Sequence, residues 1–241
     1  MNKPHIEVLD KGYVRLDKWM GDDLDPVNRA KTSFMKESTD FGEREAKLLA
    51  FLNKEEHSSV FRHSAITFEV YAPLFIARQW WKYAVASTHL EDQNGWNESS
   101  RRYVTEIPEF YIPDADAWRS APENRKQGSG EPVDEHTGHV LSVFLEDTII
   151  DGINKYDYAM SKGVAPEQAR LFLPAYGLYV RWSWTCSLGT LIHFLQQRLA
   201  DDAQYEIRVY ASAVLKIIEE IFPEVVKLCL EEESKNAVDL L

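Results

Sequence analysis

The sequence predicts an α+β (α/β mixed) fold: one domain with a central sheet and a helix-rich C-terminal half. Three observations carry this. Period-two alternation of apolar and polar residues is confined to short stretches, at residues 5–16, 65–71 and 178–187. From residue 188 to 234 the pattern is helical and almost continuous. No internal repeat and no linker interrupts the 241 residues, so 1–241 reads as a single domain long enough to bury a substantial core.

The elements follow in order. Ile6, Val8, Tyr13 and Val14 read as strand around a turn at Lys11-Gly12. Asp25-Pro26 is a helix start, with Asp as N-cap and Pro at the first helical position. Asp40 should cap a second helix, whose apolar stripe is Leu48, Leu49 and Leu52. In the strand Ala65 to Tyr71, Ile66, Phe68 and Val70 face one way and Thr67, Glu69 and Tyr71 the other. Pro73 opens a helix reaching about Ala84.

Residues 88–100 are polar, contain Asn94-Gly95, and read as a loop. Residues 112–132, with their prolines and Gly128-Ser129-Gly130, read as an exposed excursion. A long helix should fill 133–161, and Pro166 opens a short one ending before Pro174. Leu178 to Ser187 alternates, with Val180, Trp182 and Trp184 on one face. Helices then occupy 188–200, 203–221 and 223–234.

Composition narrows function. The net charge of −12 argues against a nucleic-acid partner. An anionic small ligand must then be captured by local arginines against a repelling background. The two cysteines, Cys186 and Cys229, sit among apolar neighbours and read as buried thiols. No metal-ligand spacing is present, and no apolar run is long enough to span a membrane. The expectation is a soluble, cytoplasmic protein without membrane partners.

Three clusters could carry chemistry. On the helix after Pro73, Arg78 and Lys82 are four residues apart on one face, beside Gln79, Trp80, Trp81 and Tyr83. An amphipathic helix with a solvated basic edge has the same pattern. Asn97-Glu98-Ser99-Ser100-Arg101-Arg102-Tyr103 offers two hydroxyls and two guanidiniums, a cradle suited to phosphate. A surface salt-bridge loop is its plain alternative. Arg198 and Ala203-Gln204-Tyr205-Glu206 form the third cluster. Arg198 either pairs with Asp201 or Asp202 or points into a pocket, and Arg170 has the same ambiguity. His57 and His63 flank Phe61, and His193 lies five residues before Arg198.

Together these clusters resemble the flavin-dependent thymidylate synthase family over nearly the whole chain. The likeness runs through Ile6 to Gly12, His57 to His63, Ala72 to Trp81, Asn97 to Tyr103, Glu109 to Pro113, Ala169 to Pro174 and His193 to Glu206. It implies an α/β fold in a homotetramer with active sites shared between subunits. It also implies FAD as cofactor, NADPH as reductant, and transfer of the methylene of methylenetetrahydrofolate to C5 of dUMP, giving dTMP. By the resemblance, Gln79, Trp80, Trp81, Lys82, Glu98, Ser99, Ser100, Arg101, Arg102, Arg170 and Arg198 hold dUMP. Ser59, Lys82, Tyr83, Ala84, Glu98, Ser187, Leu188, Gly189 and His193 contact FAD. Arg198 is the catalytic residue, stabilising negative charge at N3 and O4 of uracil so that C5 becomes nucleophilic.

The chain departs from the family pattern in three places. The usual Arg-His-Arg opening is Lys82-Tyr83-Ala84. Fifteen residues rather than seven separate it from Ser100, the extra ones lying within Thr88 to Trp96. Asp202 stands where a His is usual. The altered opening keeps two other readings in view: a flavin-dependent pyrimidine nucleotide hydroxymethylase, and a non-catalytic nucleotide-binding relative.

Overall fold

The computed structural model describes residues 3–85, 95–99, 107–122 and 128–239. Five strands form one antiparallel sheet: β1 (His5–Val8), β2 (Gly12–Met20), β3 (Ala65–Pro73), β4 (Gly95–Glu98) and β5 (Tyr179–Ser187), in the order β1-β2-β3-β5-β4. The helices are α1 (Leu24–Ala30), α2 (Glu43–Lys54), α3 (Leu74–Trp80), α4 (Lys82–Val85), α5 (Glu135–Ser161), α6 (Pro166–Ala169), α7 (Leu188–Arg198), α8 (Tyr205–Glu219), α9 (Pro223–Cys229) and α10 (Glu231–Lys235). Among the described residues, no helix is long and apolar enough to cross a membrane.

Register explains the two faces of the sheet. Phe68 pairs with Trp184, Val70 with Trp182 and Ala72 with Val180, so the alternation seen in sequence gathers on one side. There Trp80 of α3 stacks on Phe194 of α7 at 4.6 Å and meets Trp182 and Trp184 edge-on at 5.5 and 5.4 Å. Edge-to-face packing of large rings suits their quadrupoles. Helices α7 and α8 complete this core.

The opposite face is polar. Tyr13 donates to Glu69 at 2.6 Å, Arg15 pairs with Glu69 at 2.8 Å, and Tyr179 donates to Asp10 at 2.6 Å. Tyr71 donates to Glu109, which ties the 107–113 segment onto this face. The Tyr179 hydroxyl is pushed well above its ordinary value, chiefly by burial.

Several sequence expectations need correction. The first turn is Leu9 to Lys11, with Leu9 at φ +58°, and residues 5–16 are two strands of a hairpin. Gly12 is required by close approach instead: a Cβ there would overlap the Tyr210 hydroxyl and the Tyr71 carbonyl. The N-cap position of α1 is Asp23 rather than Asp25, with no side-chain cap hydrogen bond to that helix, and the N-cap position of α2 is Gly42 rather than Asp40. In the second, Glu45 reaches back to the Gly42 N–H, a contact that fixes the helix start at Glu43, directly after Gly42, rather than at Asp40. The helix after Pro73 breaks at Trp81, and the helix expected at 223–234 breaks at Leu230. Gly95 to Glu98 is a strand, because the free edge of β5 accepts it and Trp96 stacks on Trp182 at 4.8 Å.

Candidate active site

Helix α7 organises the site. Ser187 ends β5 and caps α7, its hydroxyl accepting from the Thr190 N–H at 3.2 Å. From that fixed start Gly189, Ile192, His193 and Gln196 fall at i, i+3, i+4 and i+7 on one face. The face lines a cavity of about 610 Å³ together with Lys54, His57, Ser58 and Phe61. The last residue of α7, Arg198, belongs to a different cavity of about 680 Å³. Both volumes lie in the range of small-molecule sites, roughly 300–1,000 Å³.

Tyr83 stands between them. It is buried, its ring lies 5.8 Å from that of His193, and the Arg198 guanidinium carbon is 5.3 Å from its centroid. Burial raises the Tyr83 hydroxyl above its ordinary value, against the opposing charge of Arg198. Arg198 is half-buried, and its Nε has no hydrogen-bond partner. Among the described residues no ion pair joins it to Asp201 or Asp202, both of which are exposed. Of the two readings of this arginine, the pocket is the one found.

The Arg198 cavity also holds Gln79 and Lys82, brought there by α3 and α4. Gln79 Nε2 donates to Gln204 Oε1 at 2.5 Å, and Gln204 Nε2 donates to Glu206 Oε2 at 2.7 Å. This relay fixes the Gln79 amide and leaves its carbonyl oxygen as an acceptor. Among the described residues, the cavity lining has three cationic side chains, Lys82, Arg119 and Arg198, against one carboxylate, Glu206. In a chain of net charge −12, that is a locally anion-attracting concavity.

The excursion at 112–132 is part exposed and part half-buried among its described residues, and Pro113, Ala117, Trp118, Arg119, Gly128 and Ser129 build a wall of this cavity. The Tyr111 N–H donates to the Gly177 carbonyl, the Tyr179 N–H to Glu109, and the Val133 N–H to Trp118. Trp118 Nε1 donates to Ser142 on α5 at 2.8 Å. Gly128, at φ +92°, approaches the Asp202 carbonyl so closely that a Cβ would sit 2.8 Å from it. Trp118, Arg119, Tyr111 and Tyr176 were missed in sequence, since nothing local marks a residue that reaches a cavity through tertiary packing.

The remaining expected residues separate into groups. Gly189 and His193 line the second cavity, and Ser59 is exposed next to its Ser58. Ser187 and Leu188 are buried, the first committed to its cap and the second to the core. Trp80 is fully buried, so it is a core residue rather than a nucleotide contact. Trp81 is exposed and packs against Arg78 at 5.6 Å, outside both cavities. Ala84 lies in α4.

Glu98 ends β4. Partial burial raises its carboxyl above the ordinary value, opposed by a Trp96 hydrogen bond and the charge of Arg170. The Ser99 N–H donates to the Arg181 carbonyl at 2.8 Å. Arg170 is exposed and lines neither cavity of its own chain. Ser100, Arg101 and Arg102 lie outside the described residues, as does the extra segment from Thr88 to Asn94. His57, unassigned from sequence, is a lining residue of the second cavity.

A family model described as thymidylate synthase complementing protein matches residues 15–224. A flavin-dependent thymidylate synthase of Thermus thermophilus is 38% identical over 218 residues, covering 90% of this chain and 75% of that protein. One from Thermotoga neapolitana is 37% identical over 218 residues, covering 90% of each. Among solved structures, the UMP/dUMP methylase PolB of Streptomyces cacaoi, bound with 5-Br dUMP, superposes with a TM-score of 0.78 at 25% identity, covering 94% of this chain and 97% of that one. The chain therefore belongs to the flavin-dependent thymidylate synthase family.

Proposed function

We propose that this protein is a flavin-dependent thymidylate synthase that methylates dUMP to dTMP, with methylenetetrahydrofolate as carbon donor, NADPH as reductant and FAD as cofactor. The observation that carries the reading is the convergence of Gln79 and Arg198 on one cavity, joined across Tyr83 to a second cavity lined by Gly189 and His193.

The two cavities suit different ligands. The first has cations for an anionic nucleotide and, in Gln79, a fixed amide for a pyrimidine edge. The second has Lys54, Ser58, His57 and His193 for polar and anionic groups, and Phe61 and Ile192 for a flat apolar ring, so its residues fit a flavin nucleotide. Bound FAD supplies the redox chemistry, with NADPH as hydride source.

The chain's own work is position and field. Arg198, laid against Tyr83, is held ready to stabilise negative charge at N3 and O4 of uracil. That charge raises electron density at C5, the atom that must form the new carbon–carbon bond. The cysteines offer no alternative nucleophile. Cys186 is fully buried, Cys229 nearly so, and burial pushes the Cys229 thiol up to about 12. Neither lines either cavity.

The exposed Arg170, Leu171 and Phe172, and the exposed Phe144 and Ile150 of α5, the helix packed against that segment, support a homotetramer in which sites are completed by a second copy. Light scattering of the purified protein tests that state.

The test of the activity is spectroscopic. Purified protein should carry flavin absorbance and should oxidise NADPH faster when dUMP is added. A colourless protein that does not take up FAD contradicts the reading. UMP belongs in the same assay, because the PolB relative is named for both nucleotides.

A further inference from the structure

The cavity that holds Gln79 and Arg198 has a second guanidinium, supplied by the 112–132 segment. Arg119 is half-buried in the lining, and its guanidinium carbon lies 4.1 Å from the centroid of the Tyr205 ring. That is a close cation–π contact, with the guanidinium over the ring. Its Nε is buried without a hydrogen-bond partner, and among the described residues no carboxylate pairs with it. Arg15 shows the contrast: its Nε is also unpaired, but its Nη2 is bonded to Glu69 at 2.8 Å. The carboxylate nearest in sequence to Tyr205, Glu206, is already engaged by Gln204.

The backbone around Arg119 is held as firmly as its side chain. Arg119 forms a β-bridge with Pro132; the Ser120 N–H donates to the Glu131 carbonyl at 2.9 Å, and the Gly130 N–H to Ser120 at 2.8 Å. A cation placed on a braced ribbon, over an aromatic ring, and paired with no carboxylate among the described residues is arranged for a ligand's anion rather than for the fold.

We infer that Arg119 is a further ligand-binding residue of this cavity, contacting an oxyanion group of the molecule bound there. This rests on the proposed function, which supplies two sources of such a group: the phosphate of the nucleotide and the carboxylate of the carbon donor's glutamyl tail. The excursion is then part of the binding machinery.

The test uses the full-length, FAD-loaded protein and its Arg119→Ala and Arg119→Gln variants, each checked for folding by thermal melt. If the Ala variant fails to fold, Arg119→Gln gives the answer. Equilibrium binding of dUMP is compared with that of uncharged deoxyuridine. The KM for methylenetetrahydrofolate is compared with that for the analogue lacking the glutamyl carboxylates. A charge-assisted hydrogen bond lost should weaken the charged ligand by about tenfold or more. The inference expects such a loss for dUMP alone or for the folate alone, with the uncharged analogue unchanged. Loss with dUMP assigns the phosphate, and loss with the folate assigns the carboxylate. Unchanged affinity for both charged ligands overturns it, as does an equal loss for charged and uncharged forms. The proposed function fails separately, through a wild-type protein that makes no dTMP.

Discussion

The guanidinium carbon of Arg198 sits 5.3 Å from the centroid of the Tyr83 ring, and the same ring lies 5.8 Å from that of His193. One side chain thus touches a residue of each cavity. By the resemblance, Tyr83 also stands where a His is expected. Position 83 therefore lies against a lining residue of each candidate pocket, and a tyrosine there offers a broad face on which Arg198 is laid.

Arg198→Ala should reduce kcat by about 100- to 1,000-fold, the usual cost of losing one preorganised donor to a developing charge. Flavin absorbance should persist, because the second cavity does not include Arg198. Steady-state rates and a visible spectrum of the variant check both halves. Wild-type turnover would reduce Arg198 to a packing residue.

Tyr83→Phe keeps the ring and should stay within a few-fold of wild type in kcat. Tyr83→Leu removes the face beneath Arg198, a contact contributing about 0.5–2 kcal/mol, and should lower kcat by roughly 2- to 30-fold. FAD titrations should show weaker binding in the Leu variant, because His193 loses its neighbour. Equal behaviour of Phe and Leu would show that the stacking has no part in positioning Arg198.

Asp23 joins the two ends of the chain. Its carboxylate accepts from the Val225 N–H at 2.9 Å and the Glu224 N–H at 3.2 Å, satisfying the start of α9 from 200 residues away in sequence. Asp23→Ala should cost about 1–2 kcal/mol of stability in a denaturant melt, with Asp23→Asn milder. Unchanged melts for both would refute the cap.

Glu45 carries an acid-range dependence. Hydrogen bonds from Lys31 and Ser38 hold its carboxyl down from 4.5 to about 2. A depressed folded value means the ionised form is favoured by folding. Its contribution is therefore fully present above 4.5 and is lost as pH falls toward about 2. Glu45→Gln should flatten that part of the stability-against-pH curve, measured by melts from neutral pH downwards. Identical slopes for variant and wild type would exclude the linkage.

Most of the sheet was legible because one residue in two is apolar where one face is buried, as along Phe68, Val70, Trp182 and Trp184. Strand β4 was not. Its four residues, Gly95 to Glu98, follow a turn signal and become a strand only because the edge of β5 is there to pair with. Gly12 looked like a turn glycine for the same reason: its real constraint, the Tyr210 hydroxyl, lies on a helix far along the chain.

The site was readable to a similar depth. Gln79, Lys82, Arg198, Gly189 and His193 all reach one cavity or the other, and their motifs are local in sequence. Trp80 misled because a motif neighbour of Gln79 on a helix points about 100° away, here into the core. Arg119 and Trp118 were invisible because proline and glycine content describes a segment's backbone and not what it packs against. Arg170 remains apart from the cavities of its own chain.

The activity proposed for this cavity pair is conversion of dUMP into dTMP. Its most direct test is an anaerobic incubation of the flavin-loaded protein with dUMP, NADPH and methylenetetrahydrofolate labelled with carbon-13 in the methylene, followed by mass spectrometry of the nucleotide. The expected product is dTMP with the label in its C5 methyl group. A labelled hydroxymethyl nucleotide, or unchanged dUMP bound tightly by an active-site-intact protein, would contradict it.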